Sequence, residues 1–529
     1  MLIKFQNKKY EIPDPVADES EVIIKVSKIK IILLSVGSNQ QVDKFPLIWR
    51  KVLFFLLHEG PRLTLNKIYA YKLFQKIAEK KLVFVYGQLK GSGQFAVAIG
   101  PQVCPYAEYL LFPKELTSIV RENRNIEQIY RKILAYIKTN KDKADHLLNY
   151  SKYSGKPLQL SLDEILKEAN EATLEVAQKE LKLESIAFDN YSCEGKKQKN
   201  RNKNRKYDLF IAGAGSYCFS YILPFLRKAN VNYHTVIDIN PIAASMAGEK
   251  YGFLYTDTSA ERALARLSGC ENPLLLIATY HSTHFPIIEQ ALSINSNTKI
   301  LVEKPPVTTD DQLKSLIRLR ENPGHFIEIG YNRRYSPFIK RAREILRECR
   351  EPYTMTCIVK ERRLPSSHWY YWPTQGTRIA GNLCHWIDLG VFFIQKKPSS
   401  MVAISGSKKN LSDEVSCGIK FEDGSLLTLI ASERGNQLRG VQEYIDIRCE
   451  DITITIDDFL LMRVLQNGKK RIFRRILRDK GHVRMYKDFL SRIDFNIGPT
   501  YPNRDLEIST TLYLSLSRLL LSGGNFMDL

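Results

Sequence analysis

From Tyr207 onward the chain alternates between short apolar runs and stretches of helical pattern, and this constrains its fold more than any other feature. DLFIAGA, HTVIDI, PLLLIAT, KILVEK and HFIEIGY read as strands, and SYCFSYILPFLRKA, PIAASMAGEKY, HFPIIEQALSI and DDQLKSLIRLR read as the helices between them. Strands that are apolar throughout must be covered on both faces, and the intervening helices supply the cover. The pattern therefore predicts an α/β unit over 207–335 built on a parallel sheet.

The texture changes beyond Ser336. A helix, PFIKRAREILREC, leads into strand-like TMTCIVKE, and three hairpin signals follow: VSCGIKF–EDG–SLLTLIA, EYIDIRC–ED–ITITI and LLMRVLQ–NG–KKRIF. Glu422-Asp423-Gly424 and Asn467-Gly468 are turn formers of the kind that join antiparallel strands. Two helices, near Tyr486–Ile493 and Leu506–Leu521, come last. Residues 336–529 thus read as an α+β domain on a large, mainly antiparallel sheet. Residues 1–190 read as a separate α+β domain of unknown role. Its strands are LIKFQNKKYEI, EVIIKVSKIKIILLSVG, KLVFVYGQL and QFAVAIG, and its helices lie around Ile126–Lys138 and Ser161–Leu183. His58 and Glu59 form a lone pair there, read as structural.

Charge and composition exclude several functions. The net charge is +21, and seven basic residues crowd into Lys196–Lys206. No nucleic-acid motif accompanies that run, so 191–206 reads as a solvated linker and no specific nucleic acid is expected. The apolar runs IILLSV and VLFFLL fall far short of the ~20 residues a membrane span needs. The first residues lack a signal-peptide pattern, so a cytoplasmic protein is expected. Nine scattered cysteines with no CxxC pair suggest neither a zinc site nor a disulfide framework, and no metal is expected.

The first strand–helix turn of the α/β unit reads Gly213-Ala214-Gly215-Ser216-Tyr217-Cys218. Gly213 permits a tight turn and Gly215 lets backbone approach a diphosphate, while the helix beginning there offers free N–H groups and a positive dipole end. Cys218 is small enough to replace the third glycine. Asp238 ends the next strand 20 residues after Cys218, the offset of a ribose-hydroxyl ligand. Its charge would repel a 2′-phosphate, so NAD is expected over NADP. Gly213, Gly215, Ser216, Tyr217 and Asp238 are the first cofactor candidates.

Four further segments and one short string complete a resemblance. ATYHSTH (Ala278 to His284), Glu303-Lys304-Pro305, GYNRRYSP (Gly330 to Pro337) and GTRIAGNLCHWIDL (Gly376 to Leu389) occur in order, followed by DKGH (Asp479 to His482). From Tyr207 to Leu521 the chain resembles the Gfo/Idh/MocA oxidoreductases, most of all the branch fused behind zinc-type alcohol dehydrogenase domains. The N-terminal half lacks the signatures of such a zinc domain. The resemblance implies a Rossmann domain, an α+β domain whose sheet forms a homo-oligomer interface, and NAD(P)-linked dehydrogenation of a CH–OH group on a sugar, cyclitol or nucleotide sugar. It further implies that Lys304 holds the nicotinamide ribose and reacting oxygen, that His385 exchanges the alcohol proton, and that Pro305 follows a cis bond. Thr279, Tyr280, His284 and Glu303 would line or place the cofactor.

Lys304 at a strand end can stabilise a developing alkoxide, and a histidine titrates near neutral pH. Arg333 and Tyr335 read as grips for a diphosphate or carboxylate, with solvated charge the alternative. His368 and Trp369, in LPSSHWYYWP, suit stacking on a sugar or base, or packing between domains. Asp388 lies one turn after His385 and reads either as a substrate contact or as structural. Many relatives carry an Asp four residues before the histidine. This chain has Gly381 there, followed by Asn382, which leaves a non-catalytic nucleotide-binding or sensor protein as the rival reading.

Overall fold

The structure is a computed structural model that describes residues 205–529 except 228, 366–367, 408–409 and 436–439, together with stretches of the first 204 residues, chiefly 21–32, 59–77, 81–102, 109–120, 126–149 and 160–168. The basic run as far as Asn204, the expected Ser161–Leu183 helix beyond Glu168, and His58 lie outside the described residues.

The N-terminal half opens on a hairpin of β1 (Leu2–Phe5) and β2 (Lys8–Glu11). It continues with β3 (Glu21–Ile32), α1 (Pro61–Ile77), β4 (Lys81–Leu89), β5 (Phe95–Gln102), β6 (Tyr109–Pro113) and β7 (Thr117–Ile119). Then come α2 (Ile126–Thr139), α3 (Lys141–Asn149), α4 (Leu162–Glu168) and the short β8 (Glu184–Ser185). The strands form an antiparallel sheet ordered β6-β3-β4-β5-β7, with β8 on β3. Strand alternation divides the side chains of β4 between two cores. Leu82, Phe84 and Tyr86 pack on α2, α3 and α4 through Tyr130, Ile133, Leu147 and Ile165. Val83 and Val85 face the other way, into a core shared with the α/β unit.

That unit comprises β9 (Tyr207–Ala212), α5 (Leu223–Leu226), β10 (Val231–Ile237), α6 (Pro241–Tyr251), β11 (Tyr255–Asp257), α7 (Ala260–Leu264), β12 (Pro273–Ile277), α8 (His284–Ile294), β13 (Lys299–Glu303), α9 (Asp310–Glu321) and β14 (Phe326–Gly330). All its strand pairs are parallel, in the order β11-β10-β9-β12-β13-β14. The order reverses between β9 and β12, which opens a crevice at the carboxyl edge where such sheets bind ligands. Every residue of β9, β12 and β14 is buried, as continuous apolar runs require.

The last domain begins with α10 (Pro337–Ile345) and β15 (Thr354–Lys360), then α11 (Cys384–Ile394), β16 (Pro398–Ser405), β17 (Glu414–Phe421), β18 (Leu426–Ser432), β19 (Gln442–Cys449), β20 (Ile452–Asp457), β21 (Leu461–Gln466) and β22 (Lys469–Arg474). It closes with α12 (His482–Asp494), α13 (Asn503–Leu521) and β23 (Phe526–Asp528). Nine strands form one sheet, β22-β21-β20-β19-β15-β18-β17-β16-β23, antiparallel except for the β15–β18 pair. Asn467 and Gly468 both adopt positive φ (50° and 71°) at the β21–β22 turn, as a tight hairpin needs. Met355, Cys357 and Val359 of β15 turn inward onto the apolar α11 and α13, and Ile358 turns to solvent.

Candidate active site

The glycine turn after β9 is tight at its first glycine and open at its second. A Cβ on Gly213 (φ +93°) would lie 2.3 Å from the Ala278 carbonyl oxygen, so only glycine lets the β9 and β12 loops pass so closely. A Cβ on Gly215 would meet no atom within 4 Å, and Ser216 is exposed, so the turn is open above the helix start. Asp238, half-buried at the end of β10, accepts the Ala214 N–H (2.7 Å) and the Asn240 N–H (2.8 Å). Burial pushes its carboxyl up to about 6, against those two donors, which hold it down. An open turn with a strand-end carboxylate fits a nicotinamide dinucleotide: Gly213 to Ser216 would hold the diphosphate and Asp238 a ribose.

Along the same edge, Glu303 accepts hydroxyls from Tyr486 (2.7 Å) and Tyr217 (3.1 Å), tying β13 to the glycine-turn helix and to α12. Burial raises its carboxyl, and the tyrosines and Lys304 oppose the rise. The Lys304–Pro305 bond is cis. Lys304 is half-buried and donates to the Gly381 carbonyl; burial lowers its pKa, while the neighbouring Cys384 and Glu303 oppose that. His284 bridges the carbonyls of Pro305 (2.8 Å) and Thr279 (3.2 Å). Burial depresses it to about 4, so the ring is neutral and donates to one of them. Thr279 accepts the Thr283 hydroxyl at 2.8 Å, and Tyr280 packs on Trp369 and Trp372.

His385 sits in the first turn of α11, 5% exposed, and its Nδ1 has no hydrogen-bond partner. Burial and the surrounding Arg333, Lys304, His482 and Lys480 hold it well below its ordinary value, so it is neutral. The turn ahead of it departs from the α-helix as a π segment, Ile379–Leu383. There the ring of Tyr370 fills the place of a side chain at 381: a Cβ on Gly381 would come 2.7 Å from it. Asn382 donates to both oxygens of Glu361 (3.1 and 3.0 Å). Glu361 in turn holds Arg378 (3.3 Å), which also binds Asp413 and Glu433.

No family model matches the chain. A curated relative, putative oxidoreductase YteT of Bacillus subtilis, is 24% identical over 144 residues, which spans 26% of this chain and only 33% of YteT. Among solved structures, aldose–aldose oxidoreductase from Caulobacter crescentus matches with TM-score 0.54 and 16% identity over 61% of this chain and 100% of that one. GenD2 from gentamicin A biosynthesis, in complex with NAD, matches with TM-score 0.52 and 17% identity over 61% and 97%. Levoglucosan dehydrogenase, with NADH and L-sorbose, matches with TM-score 0.52 and 15% identity over 61% and 98%. Over about three-fifths of its length the chain shares the fold of these oxidoreductases.

Within this unit three expected substrate contacts sit in buried surroundings. Arg333 forms a buried bidentate pair with Glu443 (2.7 and 2.8 Å), and Lys480 joins the same carboxylate. Asp388 is fully buried against Arg334 (2.6 Å), which also binds Asp505 (2.7 Å). Tyr335 is buried in the core with Phe326 and Phe489. Arg333 and Asp388 are paired because charged groups must be once they leave water. His368 and Trp369 stay half-buried in the aromatic loop; His368 caps its turn by accepting the Tyr370 N–H (3.2 Å), and Trp369 lies 4.6 Å from His281. Sequence reasoning passed over Tyr370 inside a loop it had singled out, and His482 inside DKGH. Nothing local marked Glu361 or Tyr486. It also missed that the ligand atoms of Cys349, Cys449 and Glu450 lie within 4.8 Å of one another, since 99 residues separate the two thiols.

Proposed function

We propose that this protein is an NAD-dependent oxidoreductase that moves a hydride between a nicotinamide coenzyme and a CH–OH group of a sugar or nucleotide sugar. The observation that carries the reading is the open glycine turn sharing one sheet edge with Lys304, whose charge acts on a neutral His385. When bound, the coenzyme supplies the hydride acceptor or donor. The chain's own residues do the rest. Gly213 to Ser216 bind the diphosphate, Asp238 takes ribose hydroxyls and disfavours NADP, and the nearby Glu303 favours the charged form of Lys304. Lys304 orients the reacting oxygen, and its positive charge stabilises the developing alkoxide. The neutral His385 ring accepts the alcohol proton. His368, Trp369 and Tyr280 offer aromatic faces to a sugar ring.

The test is calorimetry with NAD and NADP, then absorbance of the reduced coenzyme with a panel of sugars and nucleotide sugars. Turnover that disappears in Lys304→Ala and in His385→Ala supports the reading; unchanged turnover in both, or no uptake of either coenzyme, ends it. A second reading, a nucleotide-binding sensor without turnover, is favoured by the Tyr370 ring standing where an acid would precede His385. NAD uptake with no turnover across the panel selects it. Self-association is part of the first reading, through the open sheet face, where Ile358, Ile430, Ser416 and Ile404 are cross-strand neighbours and the three isoleucines are exposed. Among the described residues no helix is long and apolar enough to cross a membrane.

A further inference from the structure

We propose that the N-terminal half braces the helix that follows the glycine turn, with Glu59 as the positioning residue, so that coenzyme binding and the docking of α1 reinforce one another. This rests on the coenzyme reading above. The solved structures named above cover 61% of the chain.

Helix α1 lies on the segment that follows the glycine turn. Arg62 donates to the Pro224 carbonyl (3.2 Å), Tyr69 packs on Phe219 (6.2 Å), and the Lys250 ammonium stands 3.3 Å from the centre of the Tyr69 ring. Lys67 stands over the ring of Tyr221 (5.2 Å), and Tyr221 stacks on both Tyr217 (5.1 Å) and His482 (4.5 Å). Tyr217 is the residue whose hydroxyl reaches Glu303. One stack of rings thus joins α1, the diphosphate-binding helix and α12.

A line of charged groups runs beside it. Glu59, just ahead of α1, binds both Lys67 and Arg478. Arg478 also holds Asp458 (2.9 Å), and Lys480, two residues on, shares Glu443 with Arg333. Lys67, Arg333 and Lys480 all act on His482, and His482 acts on His385. The side chains of Glu59 and Arg478 are 6% and 4% exposed, and an ion pair so far out of water is costly to separate. Beneath them Ala70, Val83, Val85 and Ile24 share one apolar core with Ile211, Phe219, Met485 and Tyr486.

A unit joined by core and buried ion pairs does not swing freely on its linker. Any adjustment of the glycine-turn helix around a coenzyme is felt by α1. The coupling is reciprocal: affinity that the coenzyme gains from a docked α1 returns as tighter docking when the coenzyme is bound. Glu59→Gln keeps the shape but removes the charge shared by two cations.

The test is hydrogen exchange of the full chain with and without NAD, read by peptide mass, together with calorimetric NAD affinity. Expected is slower exchange in 61–77 as well as in 213–226. Expected too is an affinity loss of about fivefold or more in Glu59→Gln, the lower end of ordinary couplings, with Glu59→Asp recovering part of it. If NAD protects 213–226 while 61–77 is unchanged, the proposal is overturned and the coenzyme reading stands. If NAD protects neither, both fall. Should Glu59→Gln fail to fold, the wild-type exchange comparison still decides.

Discussion

Lys304 donates a hydrogen bond to the carbonyl oxygen of Gly381, one residue before the amide that holds Glu361. The candidate catalytic lysine is therefore anchored on the turn that launches the helix of the candidate base. The two domains meet at this candidate site through a backbone group, which mutation of a side chain cannot remove. Glycine at 381 keeps that turn close to Tyr370.

Gly381→Asp, which rebuilds the acid many relatives carry, is expected to unseat Tyr370 before it aids catalysis. A Cβ 2.7 Å from the ring demands a shift of the loop, and overpacking of this kind costs about 1–3 kcal/mol. Thermal melting should show the loss, and emission from Trp369 and Trp372 should report the displaced loop. Adding Tyr370→Ala should restore the melting temperature.

Coenzyme affinity should fall in acid. Asp238 is charged above about 6 and neutral below it, because burial raises its carboxyl. A ribose hydroxyl is held best by the charged form, so NAD binding should be full above that value and weaken as pH drops through it. Calorimetry across this range should show the loss in the wild type and a flat response in Asp238→Asn. The variant should also narrow the preference for NAD over NADP, having lost the charge that repels a 2′-phosphate.

Glu443→Gln should be among the most destabilising single changes. Burial alone would raise the Glu443 carboxyl, but Arg333 and Lys480 hold it near 2. Removing one partner of a buried pair costs about 3–5 kcal/mol. Because the folded-state pKa is depressed, the stabilisation is present above the unfolded value, ~4.3, and is lost as pH falls toward the folded one. Denaturant titrations should therefore show a wide gap between wild type and variant near neutral pH, closing in strong acid.

Ile430→Glu on the open sheet face should break up any assembly without harming the fold. Ile430 is exposed and pairs with Ile358 and Ser416. Light scattering should show a smaller species with an unchanged melting temperature; a wild type that is already monomeric removes the sheet-face reading.

Much of this architecture was legible because its signals are local. The apolar runs of β9, β12 and β13 and the paired positive-φ residues at Asn467-Gly468 declare themselves within a few positions. β11 escaped because Tyr255–Asp257 is three residues with no apolar run, and its place comes from pairing with β10. The parallel β15–β18 pair escaped for the same reason: register across some 70 residues leaves no local trace. At the site, Lys304 and His385 stood in recognisable strings. Arg333 and Asp388 stood in equally suggestive ones, but their ion pairs left no local trace, because the carboxylate of Glu443 lies 110 residues from Arg333, and Arg334 lies 54 residues from Asp388. A charge looks available in a sequence until the fold brings its counter-charge.

The three residues of β23 lie along β16, with Met527 opposite Met401. Without them a long strand bearing exposed Val402 and Ile404 would present its unpaired backbone to solvent, a template on which neighbouring molecules add strand to strand. The short β23 ribbon thus shields the β16 edge, and a change that frays it would invite strand-to-strand aggregation while leaving the distant candidate site untouched.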